Sequence, residues 1–303
     1  MSVILVTGAT GRHGGTGAHV ARRLRDEGHA VRLLVRRRDA RSAAFEADGF
    51  DVRVGDLRDP ASLRPALEGV DQVTFSFPVD AGIVEAAAGL GSALRRSAPS
   101  ARVVVLSMIV ASEASPSHLG RAQWLAEEVL AWAGVERRIL RVAALFYENI
   151  VLLHGPSIRE HGVIRNCFGD ARMPWIAGED AAELMVAALL HPERFGDGPV
   201  CSPPGAELHT HAEIADVLTS ELGKAVRFEA ISPDAWRGDL LALAARGGSA
   251  VNQDMAGHIS AVGAALSRRG PMKAPDAADL QRQLGRPAIS LRRFVRSRIA
   301  ELT

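Results

Sequence analysis

Gly8, Gly11 and Gly14 stand three residues apart in the run TGATGRHGGTG at 7–17, directly behind the apolar stretch Val3-Ile4-Leu5-Val6. A helical pattern follows, with Val20 and Leu24 on one face. Strand, glycine turn and helix in that order make a seat for a dinucleotide pyrophosphate. Glycine lets the main chain approach phosphate oxygens, and the helix start offers unpaired N–H groups and the positive end of its dipole. Thr10, Arg12 and His13 fill the same turn and are expected to lie against the cofactor, His13 as a backbone-positioned loop residue.

A second group lies at the end of AVRLLV at 30–35, where Arg36, Arg37 and Arg38 follow in sequence. A site selective for NAD usually places a carboxylate there for the ribose 2′-hydroxyl, but here the first acid is Asp39, behind three arginines. A 2′-phosphate is strongly anionic, and guanidinium matches it with forked, charge-assisted donors. Arg36 and Arg37, with Arg12 from the glycine turn, therefore predict NADP(H) over NAD(H). A solvated arginine cluster is the plain alternative. Further along, GDL at 55–57 offers Asp56 to the adenine amino group and Leu57 to its ring, a reading compatible with an Asx turn into RDPASL. Phe77 and Pro78 close the fourth apolar run and are expected along the cofactor. Ser107 and Met108 close the fifth and are expected at the nicotinamide ribose.

The elements that must position these residues read as strands at 3–7, 30–35, 51–54, 72–77, 102–107 and 138–144. Helices are expected near 17–27, 39–48, 60–68, 80–96 and 117–133. Such alternation predicts an α/β fold, a doubly wound parallel sheet with ligands at the carboxyl ends of its strands. The remainder is less regular. Helices are expected near 179–191, 209–223, 233–246, 251–269 and 290–301, with Thr210, Glu213 and Gly223 as start and stop signals of the second. This gives a cofactor domain over 1–150 and a smaller, mainly helical lobe over 151–303, partly interwoven with it. The 303 residues are 47% hydrophobic and 23% charged, with a net charge of +1. Bulk electrostatics thus point to neither nucleic acid nor membrane. Cys167 and Cys201 make no metal motif or disulfide framework. Met1 runs straight into a strand with no room for a signal peptide, so the chain is expected in the cytoplasm.

With these residues in view, the chain resembles the NmrA-like branch of the atypical short-chain dehydrogenase/reductase superfamily. The matching pieces are LVTGATG, GHAVRLLVRR, GDLRDPASLRPALEGVDQV, VVVLS, ILRVAALFYENI, PWIAGEDAAELMVAAL, HAEIADVLTSELG and LGRPAISLRRFV, in family order across nearly the whole chain. The resemblance implies a Rossmann domain with a smaller C-terminal substrate lobe, and NADP(H) as cofactor. It implies one of two activities. Some family members are NADPH-dependent reductases of quinones and dyes; others are catalytically silent redox sensors that bind transcription factors.

The chain departs from that family in three places. The glycine turn is long: Val20 lies three residues beyond Gly17 rather than beyond Gly14, which predicts a three-residue insertion around 15–17. The family's active-site Lys is replaced by Gln123, four residues before Glu127, and the two lysines of the chain are Lys224 and Lys273. Gln123 can hydrogen-bond the nicotinamide ribose but cannot shift a neighbour's pKa by charge; Arg121 is a substitute charge with poorer geometry. The segment from Arg141 to Asn149 is one residue longer than usual, which leaves the roles of Tyr147, Glu148 and Asn149 open.

With no Tyr–Lys pair, the candidate proton donors are His118, just ahead of the helix that bears Gln123, and Tyr147, the sole tyrosine. An exposed loop histidine and a wall tyrosine are the plain alternatives. His209, His211 and Glu213 sit at a helix start that scatters them, so no metal is expected. Met173, Pro174, Trp175, Trp236 and Phe168 suggest the lining of a pocket for a flat hydrophobic substrate. The leading expectation is an NADPH-dependent reductase acting on a quinone-like or aromatic small molecule. An NADP(H)-binding sensor with a protein partner, or an enzyme using the fold for a non-redox step, stays open, as does homo-oligomerisation.

Overall fold

The apolar runs become strands because they are short and mostly buried, on both faces in the middle of the sheet and less so at its edge, where Arg53 and Val54 are exposed. They are β1 (Val3–Thr7), β2 (Ala30–Val35), β3 (Asp51–Val54), β4 (Gln72–Phe75), β5 (Arg102–Met108) and β6 (Arg137–Val142). Between them run α1 (Thr16–Asp26), α2 (Ala40–Ala47), α3 (Arg64–Leu67), α4 (Ile83–Ser97) and α5 (His118–Trp132). The computed structural model describes residues 2–11, 15–142, 145–246, 251–269, 272 and 274–303. The expected phosphate-turn residues Arg12, His13 and Gly14 lie outside them. Helix α3 is shorter than the sequence pattern predicts. Its lead-in is spent on turns in which the Ser62 hydroxyl accepts from Asp56 N–H at 2.9 Å and donates to the carbonyl of Asp59 at 2.8 Å.

The second half contains β7 (Leu145–Phe146), α6 (Glu148–His161), β8 (Val163–Asn166), β9 (Met173–Ile176), α7 (Gly178–Leu190), β10 (Val200–Cys201), β11 (Glu207–His209) and α8 (His211–Leu222). It ends with β12 (Arg227–Ala230), α9 (Pro233–Ala245), α10 (Gln253–Leu266), α11 (Ala277–Leu284), α12 (Leu291–Ser297) and α13 (Ile299–Leu302). Helix α6 is hidden in the sequence by Gly155 and Pro156, which ordinarily break helices. Here its buried side chains Ile150, Leu153 and Ile158 hold it against the lobe core. Helix α8 starts and stops as its residues predict. Thr210 and Glu213 form a reciprocal capping box, and Gly223 ends it at φ +66°. The helix expected over 290–301 is broken at Arg298 into α12 and α13.

Seven strands form one parallel sheet in the order β10-β6-β5-β4-β1-β2-β3, a doubly wound arrangement. The order in which strands are added reverses between β1 and β4, which opens a crevice at their carboxyl ends. Apolar clusters cover both faces. One joins Val20, Leu24 and Leu184; the other joins Leu90, Leu94 and Leu130. The halves of the chain interweave, since α7 packs on α1 and β10 pairs with β6 through Val200 and Ile139. A third cluster, around Tyr147, Phe168, Trp175, Trp236 and Phe294, is the core of the C-terminal lobe. Two small sheets, β11-β9-β7 and β12-β8, support it. No helix among the described residues is long and apolar enough to cross a membrane.

Candidate active site

A cleft of about 850 Å³ follows the carboxyl ends of β1 to β6, touching Thr7, Val35, Gly55, Ser76, Ser107 and Val142. At its centre, β1 is tied to β4. The Thr7 hydroxyl donates to the carbonyl of Ser76 at 3.0 Å and accepts from Ser76 N–H at 2.9 Å. Gly8, Thr10 and Gly11 line the cleft beside this tie. Gly8 has φ +74°, and a Cβ there would stand 3.0 Å from the Ser76 carbonyl oxygen.

Gly17 decides the register of the long glycine turn. A Cβ on Gly17 would lie 2.5 Å from the carbonyl carbon and oxygen of Gly8 and 2.7 Å from Ala9 N. The close approach of the helix to the first turn after β1 is therefore made by Gly17. Among the described residues no side chain caps the start of helix α1, and its first-turn residues Thr16 and Gly17 line the cleft. The Thr16 hydroxyl, also in that turn, is buried without a partner among the described residues.

At one end of the cleft lie Arg36 and Arg37, both exposed and neither in an ion pair among the described residues. Asp39 is already committed. Its carboxylate caps α2, accepting from Arg41 N at 3.0 Å and Ser42 N at 3.1 Å, and pairs with Arg41 Nη2 at 2.7 Å. The Arg41 hydrogen bonds, with that from Ser42 N–H, hold it below the usual carboxylate range. Arg41 also donates to the carbonyl of Thr10, joining α2 to the glycine turn. Sequence reasoning passed over Arg41 because it sits one helix turn past the arginine run. Asp56 and Leu57 line the same end. Asp56 makes the Asx turn with Arg58 N at 3.0 Å and pairs with Arg58 Nη2 at 2.9 Å, which lowers its pKa.

Phe77 and Pro78 run along the middle of the cleft, and Ser107 and Met108 reach its other end. The Ser107 hydroxyl donates to buried Glu127, whose charge is balanced by Arg141 Nε at 3.1 Å. One turn along α5, Gln123 is buried and lines the cleft, with its Nε2 unpartnered. Two idle buried polar groups, Thr16 Oγ1 and Gln123 Nε2, and a cradle at Gly17 that a Cβ would fill, fit an elongated polar ligand such as a dinucleotide.

A family model described as NAD(P)H-binding matches residues 8–192. The chain belongs to this NAD(P)H-binding family. An NAD(P)H azoreductase of Xenophilus azovorans is 31% identical over 236 residues, which is 76% of this chain and 77% of that protein. A (4-alkanoyl-5-oxo-2,5-dihydrofuran-3-yl)methyl phosphate reductase of Streptomyces griseus is 34% identical over 246 residues, 79% of this chain and 81% of that protein. Among solved structures, the NADPH-dependent quinone oxidoreductase QOR2 of Escherichia coli complexed with NADPH superposes with a TM-score of 0.80 at 24% identity. The match covers 97% of this chain and 98% of that one, and it shows the shared fold, in agreement with the NmrA-like resemblance.

In this NAD(P)H-binding chain the expected proton donors are displaced. Tyr147 is fully buried and does not line the cleft. It stacks on Trp175 at 6.2 Å between ring centroids and donates to Glu207 Oε2 at 2.8 Å. Burial, then the Glu207 carboxylate, raises its pKa further. Tyr147 is thus a core residue, a correction to its candidacy. His118 is also corrected: as the first residue of α5 it is exposed and off the cleft. Arg121 is likewise absent from the lining and donates to the Ser115 carbonyl at 2.7 Å. Met173, Trp175 and Trp236 pack in the lobe core, and of the expected pocket lining Phe168 alone reaches the cleft. His209 lies near Glu207 at 3.3 Å while His211 is buried, so the two point to different surroundings.

Of the lengthened segment, Glu148 accepts from Gly178 N–H at 2.9 Å, capping α7, and Asn149 lines the cleft. The sequence reading also missed Met255, His258, Ile259 and Val262 of α10. They line the cleft at the spacing of one helix face. Their periodicity was visible, but nothing in it tells which face meets the cleft.

Proposed function

We propose that this protein is an NADPH-dependent reductase that passes hydride to a flat hydrophobic acceptor, quinone-like or an aromatic carbonyl. The observation that carries the reading is one continuous cleft with arginines and the start of α1 at one end and apolar walls at the other. The relatives described as an NAD(P)H azoreductase and as a (4-alkanoyl-5-oxo-2,5-dihydrofuran-3-yl)methyl phosphate reductase support a reductase. The glycine turn and the start of α1 would take the pyrophosphate. Arg36 and Arg37 would face the 2′-phosphate, a choice strengthened by Asp39 being spent on α2 and Arg41. Asp56, Leu57, Phe77 and Pro78 would flank the adenosine and the middle of the cofactor. Ser107, Met108 and Gln123 would hold the nicotinamide ribose. When bound, NADPH supplies a hydride at nicotinamide C4. Met108, Phe146 and Phe168 line the acceptor end and would keep water from it. A quinone suits a site without a Tyr–Lys pair, because its reduced anion is delocalised and takes its proton from water.

One observation favours the sensor alternative: Gln123 stands in place of a charged lysine. NADPH consumption by purified protein against quinones and aromatic carbonyls, with calorimetric cofactor binding on the same preparation, separates the two. Acceptor-dependent oxidation is expected. Tight binding with no oxidation across the panel would turn the reading to a sensor. Product formed without a redox change in the cofactor would turn it to a non-redox enzyme. A cytoplasmic location goes with the reductase reading.

A further inference from the structure

Helix α10 covers the acceptor end of the cleft. Met255, Ile259 and Val262 meet apolar walls there, among them Met108, Val110 and Phe168. His258 is the one polar side chain on that helix face, and neither the glycine motifs nor the family resemblance gives it a role. Its Nδ1 lies 2.7 Å from the hydroxyl of Ser117. Ser117 is buried and caps α5, accepting from Gly120 N–H at 2.9 Å. A hydroxyl carries one proton and two lone pairs. With one lone pair given to Gly120, the arrangement that keeps the buried Ser117 O–H paired has it donating to Nδ1, which leaves the other ring nitrogen to the cleft. Burial pushes the His258 pKa down to about 4, so the ring is neutral near pH 7 and its proton sits on Nε2. Nε2 has no protein hydrogen bond among the described residues. It is a fixed donor on the cleft wall among apolar side chains, where a hydrogen bond to a bound molecule is stronger than in open water.

We propose that His258 seats the acceptor: its Nε2–H donates to an oxygen or nitrogen of the bound molecule and selects acceptors that carry such an atom over bare aromatic faces. The inference rests on the reductase reading for what occupies this end. A donor set where charge grows on a reduced oxygen also stabilises that oxyanion. His258 keeps its own proton, and water protonates the product.

The test compares the unaltered protein with His258→Leu, similar in size but apolar, and His258→Gln, which restores an N–H donor. The probe is 2-methyl-1,4-naphthoquinone. Its binding is measured by calorimetry to protein loaded with NADP⁺, where no hydride is available, and its kcat and KM are measured with NADPH. His258→Leu is expected to weaken quinone binding and raise KM roughly tenfold, with His258→Gln recovering to within about threefold and NADP⁺ affinity unaltered. A cationic triarylmethane dye, whose hydride-accepting carbon bears no oxygen, should lose at least about threefold less than the quinone. Equal losses for both would mean that His258 only packs, and equal quinone binding by all three proteins would also overturn the proposal, leaving the reductase reading intact. His258-dependent quinone binding without NADPH oxidation would uphold the proposal and overturn the reductase reading. No quinone binding by the unaltered protein would overturn both. Should His258→Leu fail to fold, Ser117→Ala keeps the imidazole but frees its tautomer. A roughly threefold weaker quinone binding is then expected, and unchanged binding overturns the proposal.

Discussion

The cofactor end of the cleft is built from main chain and strand ends: Gly8 and Gly11 after β1, Gly17 in α1, Arg36 after β2 and Asp56 after β3. The acceptor end is built from side chains that come together from β5, α5, β7, the Phe168 loop and α10. The first is local in sequence and nearly indifferent to what the side chains around it are, provided the glycines stay. The second depends on packing between elements far apart in the chain. The first can thus recur across many chains with one cofactor, while the second is where a substrate preference is made.

The largest expected effect strikes the cofactor end. Gly17→Val would drive side-chain atoms into the Gly8–Ala9 peptide. It should cost about 1–3 kcal/mol of stability and weaken NADPH roughly a hundredfold, by thermal melts and calorimetry. Near-normal cofactor binding would show that the register rests on another glycine. Next, Arg36→Asp should weaken NADPH by roughly 10–100-fold and NADH by less than about threefold. Equal losses would remove the 2′-phosphate role.

Acid sharpens the comparison from the other side. Behind Phe168, His154 stacks on Trp236 at 5.1 Å and His211 meets Trp175 at 5.3 Å. Burial pushes His154 down from 6.5 to about 3 and His211 well below its usual value. Unfolding would let both rings take up protons once the pH drops below their unfolded pKa. Stability should be whole above about pH 6.5 and fall below it, by up to about 1.4 kcal/mol per pH unit for each ring. No such buried ring lies under the cofactor end among the described residues. The near-UV dichroism of Trp175 and Trp236 should therefore weaken before NADPH binding does; simultaneous loss would mean the two ends do not differ. Smaller still, Tyr147→Phe removes the hydrogen bond to Glu207. It should cost about 1 kcal/mol in urea unfolding with kcat toward a quinone unchanged. His118→Ala, on an exposed helix start, should alter stability by no more than about 0.5 kcal/mol and turnover not at all.

Much of the fold was legible because strands buried on both faces read as unbroken apolar runs, and α1, α4 and α5 as periodic faces between them. Thr210 and Gly223 marked α8 correctly for the same local reason. The proton-donor candidates failed because type and neighbourhood in sequence do not reveal orientation. Tyr147 follows directly on β7 yet turns into the lobe core, and His118 begins α5 on its solvent side while Ser117, one residue earlier, faces inward.

The sequence by itself determined the doubly wound sheet, the glycine turn and the arginines after β2, since these depend on backbone geometry and charge set within a few residues. Only the tertiary structure decided that Gly17 makes the close approach and that His258 of α10 reaches the cleft. Each of those depends on which surfaces come to lie within a few ångströms of one another after distant segments have packed.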